Sequence, residues 1–173
     1  MLNMRASLPK ELPVLRKIIS GGQTGADMGG LLAAQKCGIE TGGWIPKGFQ
    51  TENGLKPDLA DFGLKETTSV SYTPRTKYNV EDSDGTIRFA GNFASPGEIC
   101  TRRAILANRK ECIDVDFNNP TSPEKVAAWI KDKKIEVLNV AGNRESKCPG
   151  IEKFTEEFLS TVFKLLGEEE NGG

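Results

Sequence analysis

Residues 15–37 read LRKIISGGQTGADMGGLLAAQKC, and this stretch decides the fold class. It opens with a short β-type run that stops at a pair of glycines. Apolar residues then recur at helical spacing, with Met28, Leu31 and Leu32 at positions i, i+3 and i+4. A strand, a glycine turn and a helix in this order are typical of the opening of an α/β domain.

The same alternation of strand and helix continues along the chain. Further strands are predicted at 86–90, 111–117 and 135–141, and further helices at 95–108, at 121–133 and from 151 onwards. The run IEVLNVA at 135–141 is nearly continuous in apolar residues, as in a parallel strand that is covered on both faces. We therefore predict an α/β fold with a single doubly wound, mostly parallel, Rossmann-like sheet flanked by helices.

One segment interrupts this pattern. Residues 39–66 are rich in glycine, proline and other turn formers, which predicts a long functional loop, either a lid or a wall of a site. At 173 residues the chain fits one domain. We predict an N-terminal extension at 1–14, the Rossmann-like ligand-binding domain at 15–167 and a disordered tail at 168–173.

Composition excludes several classes of function. The 23 lysines and arginines nearly balance the 24 aspartates and glutamates, so we expect no nucleic-acid partner. The first residues lack the apolar core of a signal peptide and no run of 18 apolar residues occurs, which predicts a cytoplasmic protein without a membrane span. The chain has no histidine, which excludes catalysis and metal sites that depend on this residue. We expect no metal site and four reduced cysteines.

Three loops follow predicted strands and should meet at one edge of the sheet. They span 21–25, 91–97 and 142–146, and each consists mainly of small or hydrogen-bonding residues. In an open α/β sheet, ligands bind outside the carboxyl ends of the strands. The coincidence of the three loops predicts a ligand site at that edge.

The first loop, GGQTG, is predicted to bind phosphate. Glycines at a strand-to-helix turn let backbone N–H groups approach an anion, and a helix N-terminus favours negative charge. The candidate binding residues are Gly21, Gly22, Gln23, Thr24 and Gly25. The alternative is a tight turn in which Thr24 caps the helix. That alternative leaves the glycines at 29 and 30 unexplained, because glycine inside a helix costs about 1 kcal/mol relative to alanine.

The second loop leads into the motif SPGE at 95–98. Ser95 and Gly97 stand at a predicted helix start, where they can face a phosphate. Alternatively, Ser95 and Glu98 form a capping box around a proline at the first helical position. The capping box explains the motif without any ligand.

The third loop offers donors for an anion. Arg144 can bind a phosphate or carboxylate through two hydrogen bonds, and Asn143 and Ser146 can add further donors. A surface ion pair between Arg144 and Glu145 is the alternative, and such a pair contributes little energy.

Four other residues lie outside these loops but near the predicted edge. In GGWIPKG, Trp44 could stack on a planar ring of a ligand, and Lys47 could bind an anionic group of that ligand. Arg75 and Asn79 precede the strand at 86–90 and are further candidates for binding. A single lysine or arginine is more often a solvated surface charge.

The chain carries four motifs in one order: SGGQTGAD at 20–27, GGWIPKG at 42–48, RTKYNVEDSDGT at 75–86 and NVAGNRESKCPG at 139–150. Over residues 18–158 it resembles the putative molybdenum carrier family, which lies within the lysine-decarboxylase-like (LOG-like) superfamily of nucleotide-binding Rossmannoid proteins. The resemblance implies a Rossmann-like sheet, a homo-oligomer and a bound phosphorylated ligand. That ligand is nominally the pterin-based molybdenum cofactor (molybdopterin) or another nucleotide-like molecule.

The wider superfamily includes phosphoribohydrolases, which cut the N-glycosidic bond of a nucleoside monophosphate. Their pattern has an arginine eight residues before a Ser-Asp pair, and Arg75 is similarly placed relative to Ser83-Asp84. This similarity implies that Arg75 contacts the ligand. Gly97 and Thr101 fall where those enzymes have a glycine loop, which implies ligand contact for both, but the glutamates of that loop have no match here.

The residues favour binding over catalysis. Hydrolysis of a glycosidic bond depends on paired carboxylates. The predicted edge offers Asp27, Glu98 and Glu145, none with an identified partner, so no catalytic residue is assigned. The leading hypothesis is a binding or carrier protein for a small phosphate-bearing, nucleotide-like ligand. The alternatives are a hydrolase that acts on an N-glycosidic or phosphate bond and a nucleotide-sensing module of a larger system.

Overall fold

The computed structural model describes residues 15–171, within which strands and helices alternate. The strands are β1 (Lys17–Ser20), β2 (Glu40–Ile45), β3 (Gln50–Thr51), β4 (Gly54–Leu55), β5 (Leu64–Glu66), β6 (Gly85–Ala90), β7 (Glu111–Asp116) and β8 (Val137–Gly142). The helices are α1 (Ala26–Lys36), α2 (Tyr72–Glu81), α3 (Pro96–Ala107), α4 (Pro123–Asp132) and α5 (Ile151–Asn171), with a 3₁₀ helix at Pro57–Phe62.

Six strands form one parallel sheet in the order β5-β2-β1-β8-β6-β7, and β3 and β4 form a separate antiparallel hairpin. The last strand, β8, lies between β1 and β6, so that Leu138 pairs with Ile18 on one side and with Gly85 on the other. Helices α1 and α4 pack on α5, and α2 packs on α3. The prediction of an α/β, Rossmann-like parallel sheet flanked by helices is confirmed.

The central strands are buried on both faces. All six residues of β6 and the first four of β8 are buried. Phe89 of β6 and Leu138 of β8 belong to the same core cluster as Leu159 and Val162 of α5. Parallel strands that are covered on both sides need such continuous apolar runs, which is the pattern that predicts a strand at 135–141.

The prediction of a long loop at 39–66 is wrong, because the segment contributes two strands to the sheet. β2 pairs with β1, and β5 pairs with β2 at the sheet edge. The sequence of β2, ETGGWI, does not resemble a strand because glycine is depleted in strands. Gly43 is nevertheless required there, since a Cβ at this position would collide with the Ser20 backbone of β1.

Helix α2 is a second element that the sequence does not predict. Its sequence, YTPRTKYNVE, contains few apolar residues, and only Asn79 and Val80 are buried. An amphipathic pattern is therefore weak here. Ser71 begins the helix as its N-cap, and its side chain accepts a hydrogen bond from the Thr73 N–H. This helix brings Arg75 to the carboxyl edge of the sheet.

Helix α5 extends into the predicted tail. It ends at Asn171, and the disordered tail at 168–173 stays a prediction. The predicted extension at 1–14 lies outside the described residues, and the domain limits stay a prediction. No helix in residues 15–171 is both long and apolar enough to cross a membrane.

The two glycines inside α1 are explained by packing against the protein itself. A Cβ on Gly29 would lie 2.5 Å from the Glu152 carbonyl oxygen and 2.8 Å from the Thr155 Cβ, both on α5. A Cβ on Gly30 would lie 2.7 Å from the Val140 side chain of β8. The glycines therefore let α1 approach both its neighbouring helix and the central strand.

We expect Gly29→Ala to lower the free energy of unfolding by about 1–3 kcal/mol, because the added methyl group overpacks the α1–α5 contact. Gly167→Ala is the matched control, since Gly167 lies in α5 with nothing within 4 Å of the position of a Cβ. The control should gain up to about 1 kcal/mol from helix propensity. Urea denaturation of both variants checks the difference. A Gly29→Ala protein as stable as the control would contradict the packing argument.

Candidate functional site

A cavity of about 540 Å³ opens at the carboxyl edge of the sheet, next to the ends of β1, β8 and β6. Its volume is in the usual range for small-molecule sites. Nine of the fourteen predicted binding residues line it: Gly21, Gln23, Arg75, Asn79, Ser95, Gly97, Thr101, Asn143 and Arg144. Five do not: Gly22, Thr24, Gly25, Lys47 and Ser146. The three predicted loops thus meet around one cavity.

Asn143 links the three loops to one another. Its side-chain Oδ1 accepts hydrogen bonds from the Gly91 and Asn92 N–H groups at 3.0 and 3.2 Å, and its Nδ2 donates to the Asn92 carbonyl at 3.1 Å. Its own carbonyl accepts the Ala26 N–H at the start of α1. We predicted Asn143 as a ligand contact, but both acceptor positions of its Oδ1 are occupied by the protein.

Gly25 is required by this linkage. It has a φ of 83° and serves as the N-cap residue of α1 without a side-chain hydrogen bond. A Cβ at Gly25 would collide with the Asn143 carbonyl oxygen. The prediction that Thr24 caps this helix is therefore wrong, and packing between two loops accounts for Gly25 without a ligand.

An ion pair between Arg75 and Asp27 forms one wall of the cavity. Arg75 Nη1 lies 2.9 Å from Asp27 Oδ2, and the two side chains are only 13% and 7% exposed. Burial raises the pKa of Asp27, and the Arg75 guanidinium opposes this without cancelling it. The Nε of Arg75 is buried and has no hydrogen-bond partner in the described part of the chain.

Tyr72 lies between two cations of the cavity. The guanidinium carbons of Arg75 and Arg144 are 5.3 and 5.9 Å from the centre of its ring, within the range of a cation–π interaction. Lys147 also lines the cavity and is exposed. The sequence does not single out Tyr72 or Lys147, because α2 is not predicted and a lone lysine carries no signal.

A carboxylate of the protein occupies the donors that we predicted for a phosphate. Glu52, in the turn of the β3–β4 hairpin, accepts hydrogen bonds from the hydroxyl groups of Thr24 and Ser146 and from the Ser146 N–H at 3.2 Å. Arg144 Nε lies 3.9 Å from the same carboxylate. The Glu52 N–H in turn donates to the Gln23 side chain. Thr24 and Ser146 therefore bind the Glu52 carboxylate of the protein itself.

The predicted aromatic and cationic contacts from 42–48 are not in the cavity. Lys47 is exposed and lies outside the cavity lining. The Trp44 ring packs on Tyr78 with 5.4 Å between ring centres, and its indole N–H donates to Asp82. Asn79 lines the cavity but uses its amide to bridge the N–H and carbonyl of Trp44.

The Arg144–Glu145 surface pair is also not formed. Glu145 instead accepts hydrogen bonds from the N–H groups of Gly150 and Glu152, at the start of α5, at 2.6 and 3.0 Å. This carboxylate therefore satisfies the free N–H groups of a helix N-terminus. Glu145 therefore stabilises the start of α5, and Arg144 lines the cavity with Glu52 rather than Glu145 as its nearest carboxylate.

Glu98 lines the cavity and does not form the predicted capping box. Ser95 is the N-cap residue of α3, but its side chain makes no capping hydrogen bond. The Glu98 side chain is 3% exposed and points to Arg88, with 3.6 Å between Oε2 and Nη1. Burial raises the pKa of Glu98 to about 7, Arg88 opposes the shift, and the charge of Asp27 adds to it.

No cluster of three or more His, Cys, Asp or Glu side chains is placed to hold a metal ion within residues 15–171. The four cysteines are free, and Cys100 lines the cavity. The polar groups that do line the cavity are cations, amides, hydroxyls and two buried carboxyls. This set can bind an anion and hydrogen-bonding groups in one ligand.

We expect Glu52→Gln to destabilise the protein by about 2 kcal/mol at pH 7, because the charge-assisted hydrogen bonds from the two hydroxyl groups are weakened. Burial raises the pKa of Glu52, but the hydrogen bonds from Ser146 and Thr24 outweigh it, and the net pKa is lowered. A lowered folded-state pKa gives stability that is present above the unfolded-state pKa of about 4.3 and is lost as the pH falls through the folded-state value.

Urea denaturation at pH 7 and pH 3 checks this expectation. The difference between wild type and Glu52→Gln should shrink at pH 3. The exposed Glu124 provides a matched control, since Glu124→Gln should change stability by less than about 0.5 kcal/mol at both values. An equal loss in Glu52→Gln at both pH values would mean that the shape of Glu52 matters rather than its charge.

Comparison with known proteins supports the relationship that the sequence motifs suggest. The chain is similar to the crystal structure of a putative molybdenum carrier protein from Syntrophus aciditrophicus, with 39% identity over 87% of this chain and 96% of that chain and a TM-score of 0.79. No curated protein shows a match. The model of the circularly permutated YpsA SLOG family matches residues 18–163. The chain therefore belongs to the circularly permutated YpsA SLOG family.

Proposed function

We propose that the protein binds a small phosphate-bearing, nucleotide-like ligand in the cavity at the carboxyl edge of the sheet and carries it without turnover. The observation that supports this most directly is that two cations without a buried carboxylate partner, Arg144 and Lys147, line one cavity of about 540 Å³ together with the Asp27-paired Arg75. Clustered cations in a concave, partly buried site favour an anionic ligand. The position of the cavity at the ends of central parallel strands agrees with the usual location of ligands in this architecture.

The cavity residues fit the phosphate end of such a ligand. Arg75 keeps an unpartnered, buried Nε, which a ligand oxygen would satisfy. Arg144 can turn its donors to the same anion, and Gly97 leaves room for the ligand next to the backbone, whereas the space beside Gly21 holds the Arg75 guanidinium. We propose the molybdenum cofactor (molybdopterin) as the nominal ligand, by relationship to the putative molybdenum carrier protein. When bound, that group would supply a pterin ring and a phosphate.

The proposed binding residues are those that line the cavity with groups free for a ligand: Gly21, Gln23, Arg75, Ser95, Gly97, Thr101 and Arg144. Hydrogen bonds to other groups of the protein occupy four further side chains, those of Thr24, Ser146, Asn79 and Asn143. We propose that these residues position the site. We further propose a cytoplasmic homo-oligomer with no nucleic-acid or membrane partner. The near-zero formal net charge of −1 supports the absence of nucleic acid.

A second candidate function is hydrolysis of a nucleotide, and one observation favours it. Asp27 and Glu98 line the same cavity, both are buried, and both have raised pKa values. Two carboxyl groups in different electrostatic surroundings are what an acid and a base require. Asp27, however, is held by Arg75 and by the Gln23 N–H at 3.2 Å, which limits its freedom to act as a base.

We expect Arg144→Ala to weaken binding of a nucleoside monophosphate by about 1.5–3 kcal/mol, the contribution of a charge-assisted hydrogen bond. Arg144 is preferred to Arg75 for this test, because removing Arg75 would leave the buried Asp27 without its partner and destabilise the fold. Arg102, exposed on α3 outside the cavity lining, is the control. Titration calorimetry on the three proteins measures the change. Equal affinity in wild type and Arg144→Ala would remove Arg144 from the site.

We expect no release of free base or phosphate when the wild-type protein is incubated with a panel of nucleoside monophosphates. Chromatography of the products separates base, ribose phosphate, nucleoside and inorganic phosphate. Substantial turnover by wild type that is lost in an Asp27→Asn variant shown by circular dichroism to be folded would overturn the carrier proposal and support the hydrolase. A trace of activity that survives in Asp27→Asn would indicate a contaminating enzyme.

A further inference from the structure

The Gln23 side chain is a buried amide whose orientation is fixed by its partners. The residue is 7% exposed and lines the cavity. Its Oε1 accepts hydrogen bonds from the Thr24 N–H at 3.1 Å and from the Glu52 N–H at 2.9 Å. Two N–H groups that face the same amide atom require that atom to be the oxygen. The Nε2 of Gln23 therefore points away from both groups.

This Nε2 is a donor that a ligand can use. It donates to no group within residues 15–171, and it is not sealed inside the protein, in contrast to the Oε2 of Glu98. An amide nitrogen has two N–H donors and no acceptor, and both lone pairs of Oε1 are already used. Gln23 can therefore offer donors only. Such a group suits an oxygen of a phosphate and repels a ring N–H or an amino group.

One of the two groups that fix this amide belongs to a hairpin outside the main sheet. Strands β3 and β4 have two residues each, and Gln50 pairs with Leu55 and Thr51 with Gly54. Glu52 lies in the turn between the two strands. A two-stranded hairpin is marginally stable by itself. The position of the turn therefore depends on contacts with the rest of the protein.

The Glu52 carboxylate supplies those contacts. It accepts hydrogen bonds from the hydroxyl groups of Thr24 and Ser146 and from the Ser146 N–H, and its side chain is 12% exposed. Thr24 lies in the loop after β1, and Ser146 lies in the loop after β8. The carboxylate thus anchors the hairpin turn on two of the cavity loops. The anchored turn in turn holds the Glu52 N–H against Gln23.

We propose that Glu52 is a positioning residue, whose carboxylate anchors the hairpin turn so that its N–H aims the Gln23 amide at a phosphate oxygen of the ligand. This inference rests on the proposed binding function and assigns the hairpin a part in it. A donor that is already oriented loses less rotational freedom when the ligand binds. Affinity for phosphate then depends on Glu52, although this residue lies outside the cavity lining.

The charge of Glu52 has the opposite effect, which makes the direction of the change informative. The carboxylate lies 3.9 Å from the Nε of Arg144 and partly neutralises this cation of the cavity. Removing the charge by itself would strengthen phosphate binding. Removing the anchor would weaken it, because Gln23 could then turn its donors elsewhere. Glu52→Ala removes both charge and anchor, whereas Glu52→Gln keeps a side chain that can form hydrogen bonds with the two hydroxyl groups.

A double-mutant cycle of Gln23→Met and Glu52→Ala tests the inference by titration calorimetry with inorganic phosphate and ribose 5-phosphate. Gln23→Met removes the donor and keeps the length of the side chain, so it should weaken binding about five- to tenfold. Glu52→Ala should weaken binding by a similar factor, and the double variant should lose no more than either single variant. Glu52→Gln should bind at least as tightly as wild type. Glu124→Ala, at an exposed position of α4, is the control and should not change the affinity.

Three results decide the inference. A loss of affinity in Glu52→Ala that disappears in the Gln23→Met background supports it. Unchanged or higher affinity in Glu52→Ala, or an equal loss in the Gln23→Met background, overturns it and leaves the proposed phosphate binding standing. Failure of wild type to bind either probe overturns the proposed function and this inference together. Circular dichroism shows whether each variant is folded, and Ser146→Ala, which removes one anchor of Glu52, takes the place of Glu52→Ala if that variant does not fold.

Discussion

The hydrogen bonds of one amide side chain, Asn143, determine the shape of the site. Each strand that ends at the carboxyl edge leaves backbone N–H and carbonyl groups that need partners. Asn143 supplies those partners for the loop after β6, while its own carbonyl anchors the start of α1. The loops after β1, β8 and β6 are thereby held at fixed distances, and the cavity is the space that remains between them. The loop residues of the cavity depend on this arrangement, whereas helix α2 brings Arg75 and Asn79 to it.

The electrostatics of the site are largely balanced within the chain. Asp27 neutralises Arg75, Glu52 occupies the hydroxyl groups of two loops, and Asp114 neutralises Arg88. Buried charges persist in proteins when they are paired in this way. The groups left over are the Nε of Arg75 and the carboxyl of Glu98, one donor and one acceptor in a single cavity.

The sequence predicts the architecture well and the roles of site residues less well. Local periodicity is enough to identify β1, α1, β8 and the meeting of three loops, because each of these depends on residues that are close in sequence. It fails for β2, whose glycines are explained only by the backbone of β1, and for α2, whose buried face is small. Ser146 was expected at a phosphate and meets Glu52, which is 94 positions away in the chain. No local pattern predicts such a pairing.

The insertion of β8 between β1 and β6 has a consequence for synthesis of the protein on the ribosome. Arg16, next to β1, contacts Glu136, next to β8, across 120 positions of chain. At a translation rate of about 5–20 residues per second, about 6–24 s pass between the synthesis of β1 and that of β8. During that time one edge of an apolar strand is unpaired and open to association with other nascent chains. The pairing of β1 with β8 is therefore completed only after most of the chain has been synthesised.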